Sequence, residues 1–213
     1  MKKLFFCFIF LFCFSVVLSA LSLQELAEYD TRAVLKNYPD AQTVLLYDDQ
    51  QITFETDGTA VDVDDMYQKA LTDKGVQNLR SIPLHFNEFY EKYHIEVLEL
   101  IRDGKIIPVN VRENSRISID NSQMSANIFD PADKILFLNI PGMQVNDILH
   151  LKLRRQTLRP RMKGFFTDIT VLQSDDPILY YKVQYNAPAS MPLKSILVKN
   201  ELKGKIKIPL RLQ

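Results

Sequence analysis

The clearest pattern in the chain is an alternation of apolar and polar residues after position 147. Leucines occupy every second position from Leu149 to Leu153, and the residues between them are polar or charged. A period of two is typical of a β-strand with one buried face. Two turn signals, Pro141-Gly142 and Asn146-Asp147, precede the alternation. This segment therefore predicts a half-buried strand that begins at a turn.

Similar extended segments, separated by turn residues, recur along most of the chain. The runs on either side of Asp103-Gly104 predict the clearest hairpin, because a two-residue Asp-Gly turn commonly joins antiparallel strands. The proline in the segment 82–86 places that strand at a sheet edge or a strand start. The other predicted strands are residues 44–47, 51–55, 59–72, 134–140, 165–171, 178–186, 193–198 and 205–212. Asp48-Asp49-Gln50 is predicted to join the first two of these, and Lys74-Gly75 is predicted to end the third.

Helical signals are confined to the region before Pro39. Ser22 and Glu25 have the spacing of a capping box, which predicts a short helical segment there. Strands do not alternate with long helices, so we expect an all-β fold. The prediction is a mainly antiparallel sandwich or open barrel of about ten strands, formed by residues 21–213 as a single β-rich domain. The polar stretch 110–131 is expected to contain a loop.

The first 20 residues have the pattern of a secretory signal peptide. Lys2 and Lys3 precede an uncharged apolar run from Leu4 to Leu18, and Ser19 and Ala20 provide a small-residue exit. The run is shorter than the roughly 20 apolar residues that span a membrane. We therefore expect export to the periplasm or cell envelope. If the segment is not cleaved, it would instead anchor the domain in a membrane.

Cleavage would also change which chemistry is available to the domain. Both cysteines, Cys7 and Cys13, lie in the first 20 residues, so the mature chain would have no thiolate nucleophile and no thiolate metal ligand. Removing Lys2 and Lys3 from the 26 basic residues leaves 24 against 26 acidic residues. With no excess of positive charge, nucleic acid is not a predicted partner.

The most distinctive local feature is the basic segment RRQTLRPRMK, residues 154–163. Such a segment predicts a loop that binds an anionic polymer or an envelope protein. The alternative is a solvated hairpin whose charges face the acidic first third of the fold, where residues 40–73 include nine acids and one base. The candidate residues for binding an anion or a partner are Arg154, Arg155, Arg159, Arg161 and Lys163.

No catalytic residue, cofactor or metal site is predicted. The three histidines are scattered, and neither a G-x-S-x-G motif nor an H-E-x-x-H motif occurs. The cluster Asp62, Asp64 and Asp65 has the oxygen ligands that calcium prefers, but it lacks the glycine and distal glutamate of an EF-hand loop. Alternation places Asp62 and Asp64 on one strand face, which we interpret as solvated.

Aromatic residues offer a weaker candidate for sugar binding. Phe89, Tyr90 and Tyr93 are the nearest approach to a cluster of rings, and the chain contains no tryptophan. Sugar rings stack on exposed aromatic faces, whereas most aromatic side chains fill a core. We interpret these three rings as core residues.

Several short motifs occur in an order that resembles a known family. They are Tyr38-Pro-Asp-Ala41, Leu45-Leu-Tyr-Asp48, Ile52-Thr-Phe54, the hairpin ending in Ile107-Pro108, Ile140-Pro-Gly142 with Asn146-Asp147, Phe165-Phe166 and Asp176-Pro177. Together they resemble the domain of unknown function that precedes transglutaminase-like cores in exported bacterial proteins. The resemblance covers roughly residues 30–190. It implies a largely β fold and an envelope or secreted location, and it implies no activity.

The chain departs from that family in one respect. A papain-like core with Cys, His and Asp follows the domain in the family, and no cysteine occurs here after Cys13. We therefore expect a non-catalytic, exported binding module. Two alternatives remain, namely the N-terminal part of a larger cysteine-dependent enzyme and a glycan-binding or adhesion module.

Overall fold

The computed structural model describes residues 21–172 and 174–196 of the protein. Within these ranges, nine strands form two open sheets. In chain order the strands are β1 (Thr43–Phe54), β2 (Ala60–Ala70), β3 (Ser81–Asn87), β4 (Glu91–Arg102), β5 (Lys105–Pro108), β6 (Ser115–Ile119), β7 (Asp133–Asn139), β8 (Ile148–Thr157) and β9 (Lys182–Asn186). The large sheet has the order β5-β4-β8-β2-β1-β9, and the small sheet has the order β3-β7-β6.

Helices are short and lie between strands or before them. They are α1 (Leu23–Arg32), α2 (Asp73–Leu79), α3 (Val111–Asn114) and a 3-10 turn at Ser122–Ala126. The capping box predicted for α1 is confirmed, since Ser22 N donates to Glu25 Oε2 (3.0 Å) and Glu25 N donates to Ser22 Oγ (3.2 Å). None of the helices within the described ranges is long and apolar enough to cross a membrane.

The predicted all-β, mainly antiparallel fold is confirmed, and it is a pair of packed open sheets rather than a barrel. Every strand pair is antiparallel except β1 and β9, which pair in parallel from Asp49–Lys182 to Thr53–Asn186. The hairpin at Asp103-Gly104 is present between β4 and β5. The proline-containing strand β3 lies at an edge of the small sheet, as predicted.

Three predicted elements are wrong. Residues 48–50 are not a turn, because β1 runs through them and their polar side chains are paired across the sheet. Lys74-Gly75 lies in α2, which starts because Thr72 Oγ1 accepts a hydrogen bond from Gly75 N at 3.1 Å. Residues 165–171 form no strand. The signal peptide, the strand 205–212 and part of 193–198 lie outside the described residues.

The core has two parts, one on each face of the large sheet. The inner face of this sheet packs against the small sheet through buried leucines, which include Leu98, Leu100, Leu149, Leu151, Leu136 and Leu138. The outer face packs under α1, where Leu26 meets Val44, Leu46, Ile101 and Ile148. Burying each such side chain stabilises the fold by about 1.5–3 kcal/mol. The predicted apolar face of β8 is therefore the centre of the inner core.

The turn before β8 is held by a buried carboxylate. Asp147 accepts hydrogen bonds from Arg102 Nε and Nη2, both at 2.7 Å, and from Gln144 N at 2.7 Å. Gly142 and Asn146 both have a φ of 72°, which glycine and asparagine adopt most readily. The motif Pro141-Gly142 with Asn146-Asp147 therefore has a structural role.

The segment before β9 is fixed to the start of β1. Asp176 accepts hydrogen bonds from the hydroxyl of Thr43 at 2.7 Å and from Thr43 N at 3.3 Å. Leu45 N then donates to Pro177 O at 2.9 Å. Tyr180 stacks on Tyr47 with ring centroids 4.8 Å apart. These contacts place β9 beside β1 in spite of the long connection from β8.

Candidate functional site

The five basic residues singled out in the sequence do not form one patch. Arg154 and Arg155 follow each other in β8 and therefore point to opposite faces of the large sheet. Arg154 pairs with Glu96, with Nη2 2.7 Å from Oε1. Arg155 pairs with Asp62 on the inner face, with Nη2 3.4 Å from Oδ2. Their charges are balanced separately by carboxylates of the same sheet.

Arg159 and Arg161 lie in the loop after β8 and stack on two aromatic rings. The guanidinium of Arg159 lies 4.3 Å from the ring centroid of Phe89, and that of Arg161 lies 4.4 Å from the ring of Tyr90. Such cation–π contacts contribute about 0.5–1 kcal/mol at exposed sites. Leu158 N and Arg159 N both donate to Tyr90 O, at 2.6 and 3.2 Å, which joins the two loops.

We call the surface formed by Phe89, Tyr90, Leu158, Arg159, Arg161 and Met162 the ledge. Its apolar members are exposed, with 50% of Phe89, 44% of Leu158 and 62% of Met162 accessible to solvent. Within residues 21–172 and 174–196, neither arginine of the ledge forms an ion pair with a carboxylate. Lys163 is not part of the ledge. The pKa of Asp57 in the β1–β2 turn is lowered mainly by hydrogen bonds from Thr59, and the charge of Lys163 lowers it further.

The aromatic cluster expected at positions 89–93 is split by the fold. Tyr93 points inward and meets Phe86 edge to face, with centroids 5.7 Å apart. Phe89 and Tyr90 pack edge to face at the surface, at 5.0 Å. The core interpretation therefore holds for Tyr93 and is wrong for Phe89. The sequence offered no local signal for the ledge, because its rings and arginines are about 70 residues apart.

The inner face of the large sheet also has a buried group of carboxyls. Asp48 of β1 and Asp64 of β2 lie on this face, diagonal to each other across the two strands, and the buried Oδ1 atom of each has no hydrogen-bond donor among the described residues. Asp62 accepts two hydrogen bonds from Gln50 Nε2, at 3.1 and 2.9 Å. The prediction that Asp62 and Asp64 share a face is confirmed. The interpretation of that face as solvated is wrong, because Asp62 is buried and Asp64 is half-buried.

Burial dominates the titration of these three aspartates. It raises the pKa of Asp48 above the usual 3.8, and the neighbouring carboxyl of Asp64 raises it further. Burial also raises the pKa of Asp64, although the hydrogen bond with Asp48 opposes the shift. For Asp62, burial raises the pKa while Arg155 and Gln50 oppose it. The pair Asp48–Asp64 therefore keeps a proton at a pH where an exposed aspartate has lost its own.

A second polar network lies on the outer face, around His150. The ring is 7% exposed, with Nε2 2.9 Å from Asp65 Oδ1 and Nδ1 2.8 Å from Glu99 Oε1. Tyr67 stacks on the imidazole at 4.0 Å. Burial alone would raise the pKa of Asp65, but hydrogen bonds from His150 and Lys152 lower it below its usual value.

The geometry of the described residues offers no site for a metal ion formed by three or more His, Cys, Asp or Glu side chains. The calcium candidate is divided by the sheet, since Asp65 points to the outer face and Asp62 and Asp64 to the inner face. On the small sheet, His85 Nδ1 lies 2.9 Å from Asp120 Oδ2. His85 and His150 therefore belong to separate groups of hydrogen-bonded side chains, one on each sheet.

Comparison with known proteins agrees with this fold. The model of DUF3857, a domain of unknown function with solved structures, matches residues 56–207. The chain belongs to this family. The predicted resemblance to a domain of unknown function is thus confirmed, and the family description names no activity. Among curated proteins, none matches the sequence.

Solved structures show the same fold in a longer protein. A protein from Parabacteroides distasonis ATCC 8503, described as a "putative protease", matches with a TM-score of 0.61 and 15% identity over 71% of this chain. This DUF3857 chain spans 30% of the length of that protein. Yeast LTA4 hydrolase covers 55% of the chain and 15% of its own length, at 15% identity and a TM-score of 0.25.

A carbohydrate-binding module from the scaffoldin of Clostridium thermocellum is also similar in part. It covers 58% of this chain and 77% of its own length, at 10% identity and a TM-score of 0.31. The yeast and Clostridium likenesses are too weak to support an argument about fold or function. The Parabacteroides structure supports the fold alone.

Proposed function

We propose that this chain is a non-catalytic interaction domain of an exported protein and that it docks an acidic surface of a protease-like or transglutaminase-like catalytic core. The ledge is the observation that supports this proposal. Arg159 and Arg161 lie over aromatic rings, and neither is neutralised by a carboxylate among the described residues. Arginine, tyrosine, phenylalanine and methionine are enriched in protein interfaces.

The chemistry of the ledge favours a partner that carries carboxylates beside apolar side chains. A stacked guanidinium still presents N–H groups along its edge, and these match the two oxygens of a carboxylate. Leu158 and Met162 provide exposed apolar area next to the arginines. Binding of this kind weakens as salt screens the charges. A glycan stacked on the rings would show little dependence on salt.

The length of the Parabacteroides protein gives independent support for a partner in the same polypeptide or complex. The domain accounts for 30% of that protein, so the rest of it contains other structure. Its description as a protease makes a catalytic core the first candidate. The signal-peptide pattern of residues 1–20 supports export of the chain.

The ledge can be tested with a photo-crosslinker placed at Met162 of the chain expressed in its native cell envelope. We expect crosslinks to a polypeptide segment that contains a protease-like or transglutaminase-like core, at an acidic surface. The double variant Arg159→Glu/Arg161→Glu should remove them. The matched control Arg112→Glu/Arg116→Glu makes the same charge change at exposed positions near and in β6, where Arg116 also stacks on a ring, that of Phe137.

Two outcomes would contradict the proposal. Crosslinks that persist in the ledge variant, or that disappear equally in the control, would show that the arginines do not select the partner. Crosslinks confined to lipid or glycan would replace the protein partner by an anionic polymer. The intact mass of the native envelope protein then separates a core in the same polypeptide, which adds mass beyond this sequence, from a core on another chain.

A further inference from the structure

The Asp48–Asp64 pair differs from the other buried carboxylates described above because no cation among residues 21–172 and 174–196 forms an ion pair with it. Arg155 reaches Asp62 and not the pair itself. Lys182 is the first residue of β9, but its side chain points to the outer face, where Nζ lies 2.9 Å from Asp49 Oδ2. The buried Oδ1 atoms of Asp48 and Asp64 have no hydrogen-bond donor among the described residues.

The edge strand β9 lies directly beside this pair. Within the part of the chain that the structure describes, it is hydrogen-bonded along one side, to β1, over the five residue pairs from Asp49–Lys182 to Thr53–Asn186. Tyr181, just before β9, is close enough that the charges of Asp48 and Asp64 raise the pKa of its hydroxyl, after the larger effect of burial. The parallel register, in which Asp49 lies opposite Lys182, places Tyr181 beside Asp48.

Other titratable groups act on the pair from every neighbouring element and from both faces of the sheet, and most of them are acidic or neutral. Except for Arg155, they disfavour a second negative charge. They are Asp49 on β1, Asp62 and Asp65 on β2, Arg155 on β8, Tyr181 and Tyr185 beside and in β9, and Asp168, which accepts a hydrogen bond from the Tyr185 hydroxyl.

We propose that the Asp48–Asp64 pair is a proton-dependent latch, which holds β9 on the large sheet while the proton is shared and releases it when the proton is lost. Two unscreened carboxylates in contact require water. The leucine core closes the pair from below, and β2 is paired on both sides, with β1 and β8. Among the described strands, β9 is at the edge of the sheet and is paired with β1 alone. Water therefore enters by lifting β9 and Tyr181.

The latch makes a quantitative prediction about local opening. Opening exposes the carboxyls to water, where their protons dissociate at the usual pKa, so opening releases up to one proton. The equilibrium constant for opening then rises by up to tenfold for each pH unit across the range where the closed pair keeps its proton.

Hydrogen exchange followed by mass spectrometry can measure this opening, with protection factors corrected for the intrinsic effect of pH. Between about pH 6 and about pH 8, protection of residues 182–186 should fall at least tenfold in the natural chain. Protection of β8 should stay constant over the same range. In Asp48→Asn the neutral amide donates to Asp64 at every pH, so protection of β9 should change less than about threefold.

The variant Asp64→Asn provides a second test if Asp48→Asn folds poorly, because it removes the same charge from the other strand. Asp49→Asn is the matched control, since it leaves both carboxyls of the pair in place. It removes the ion pair with Lys182 and so lowers the protection of β9 at every pH, but protection should still fall as the pH rises. Protection of β9 that is independent of pH in the natural chain would overturn the latch. Equal pH dependence in the natural chain and in both pair variants would overturn it as well.

Discussion

Two buried aspartates show how differently the same side chain is accommodated in this fold. Asp147, at the turn before β8, is 1% exposed, and Asp48, in the middle of β1, is 9% exposed. Asp147 receives two hydrogen bonds from Arg102 and one from a backbone amide. Asp48 has the carboxyl of Asp64 as its neighbour. A buried carboxylate remains an ion only where donors and a cation reach it.

The two aspartates therefore stabilise the fold in different ways. The ion pair of Asp147 with Arg102 links β4 to the turn before β8, and both of its members are charged. The Asp48–Asp64 pair depends on a proton. Replacing an aspartate by asparagine removes one charge with little change in shape, so a single type of substitution tests both regions.

The largest effect is expected for Asp147→Asn. One of the two side-chain atoms becomes a donor and faces donors of Arg102 and Gln144, so at least one hydrogen bond is lost and the guanidinium keeps no counter-charge. We expect the free energy of unfolding to fall by about 3 kcal/mol. Denaturant unfolding measures this loss. The exposed neighbour Asp103→Asn is the control and should change the value by less than about 0.5 kcal/mol.

A smaller loss is expected for Asp176→Asn, because this carboxylate accepts hydrogen bonds from neutral groups. Thr43 donates to it from its hydroxyl and its backbone amide. An asparagine retains one acceptor, so the free energy of unfolding should fall by about 1 kcal/mol. The adjacent, exposed Asp175→Asn should have no measurable effect. Equal losses in both variants would mean that the charge of the segment, rather than its bonds to Thr43, fixes it to β1.

Above neutral pH we expect Asp48→Asn to raise the free energy of unfolding rather than lower it. The pKa of Asp48 is raised in the native state, so that state binds more protons than the unfolded chain and the free energy of unfolding falls as pH rises above about 4. The neutral asparagine avoids this loss. We expect the free energy of unfolding of the variant to be higher than that of the natural chain by about 1 kcal/mol at about pH 8, and by less at about pH 5. Denaturant unfolding at both pH values measures it.

A loss of stability in Asp48→Asn at both pH values would contradict the comparison of the two aspartates. The control Asp49→Asn lies one residue away and faces Lys182 on the outer side. It should lower the stability slightly at both pH values, because it removes a paired charge.

The sequence predicts the fold better than it predicts these sites. Alternation identifies the inner core through Leu149 and its neighbours, and Asp103-Gly104 identifies the hairpin, because both signals are local. Acidic residues in β1 suggested a turn at residues 48–50, since a single sequence does not show which strand pairs with them. The parallel pairing of β9 depends on Asp176 reaching Thr43, a contact between residues 133 positions apart.

The predicted binding residues illustrate the same limit. The basic run correctly marks an unusual concentration of charge, but alternation sends Arg154 and Arg155 to opposite faces, where separate carboxylates neutralise them. Only the loop residues Arg159 and Arg161 reach the ledge, and their partners Phe89 and Tyr90 come from the turn between β3 and β4. Whether an anion or a partner binds there remains a prediction.

The smallest effect is expected for Glu96→Gln, which removes the charge opposite Arg154. This pair has the same chemistry as Arg102 with Asp147, and its shortest distance is also 2.7 Å, but 44% of the Arg154 side chain and 22% of the Glu96 side chain are exposed. Water therefore replaces the lost bond, and the free energy of unfolding should change by about 0.5 kcal/mol or less. A loss as large as that of Asp147→Asn in the same denaturant measurement would show that the geometry of the arginine–carboxylate pair, and not its burial, sets the stability of such contacts in this fold.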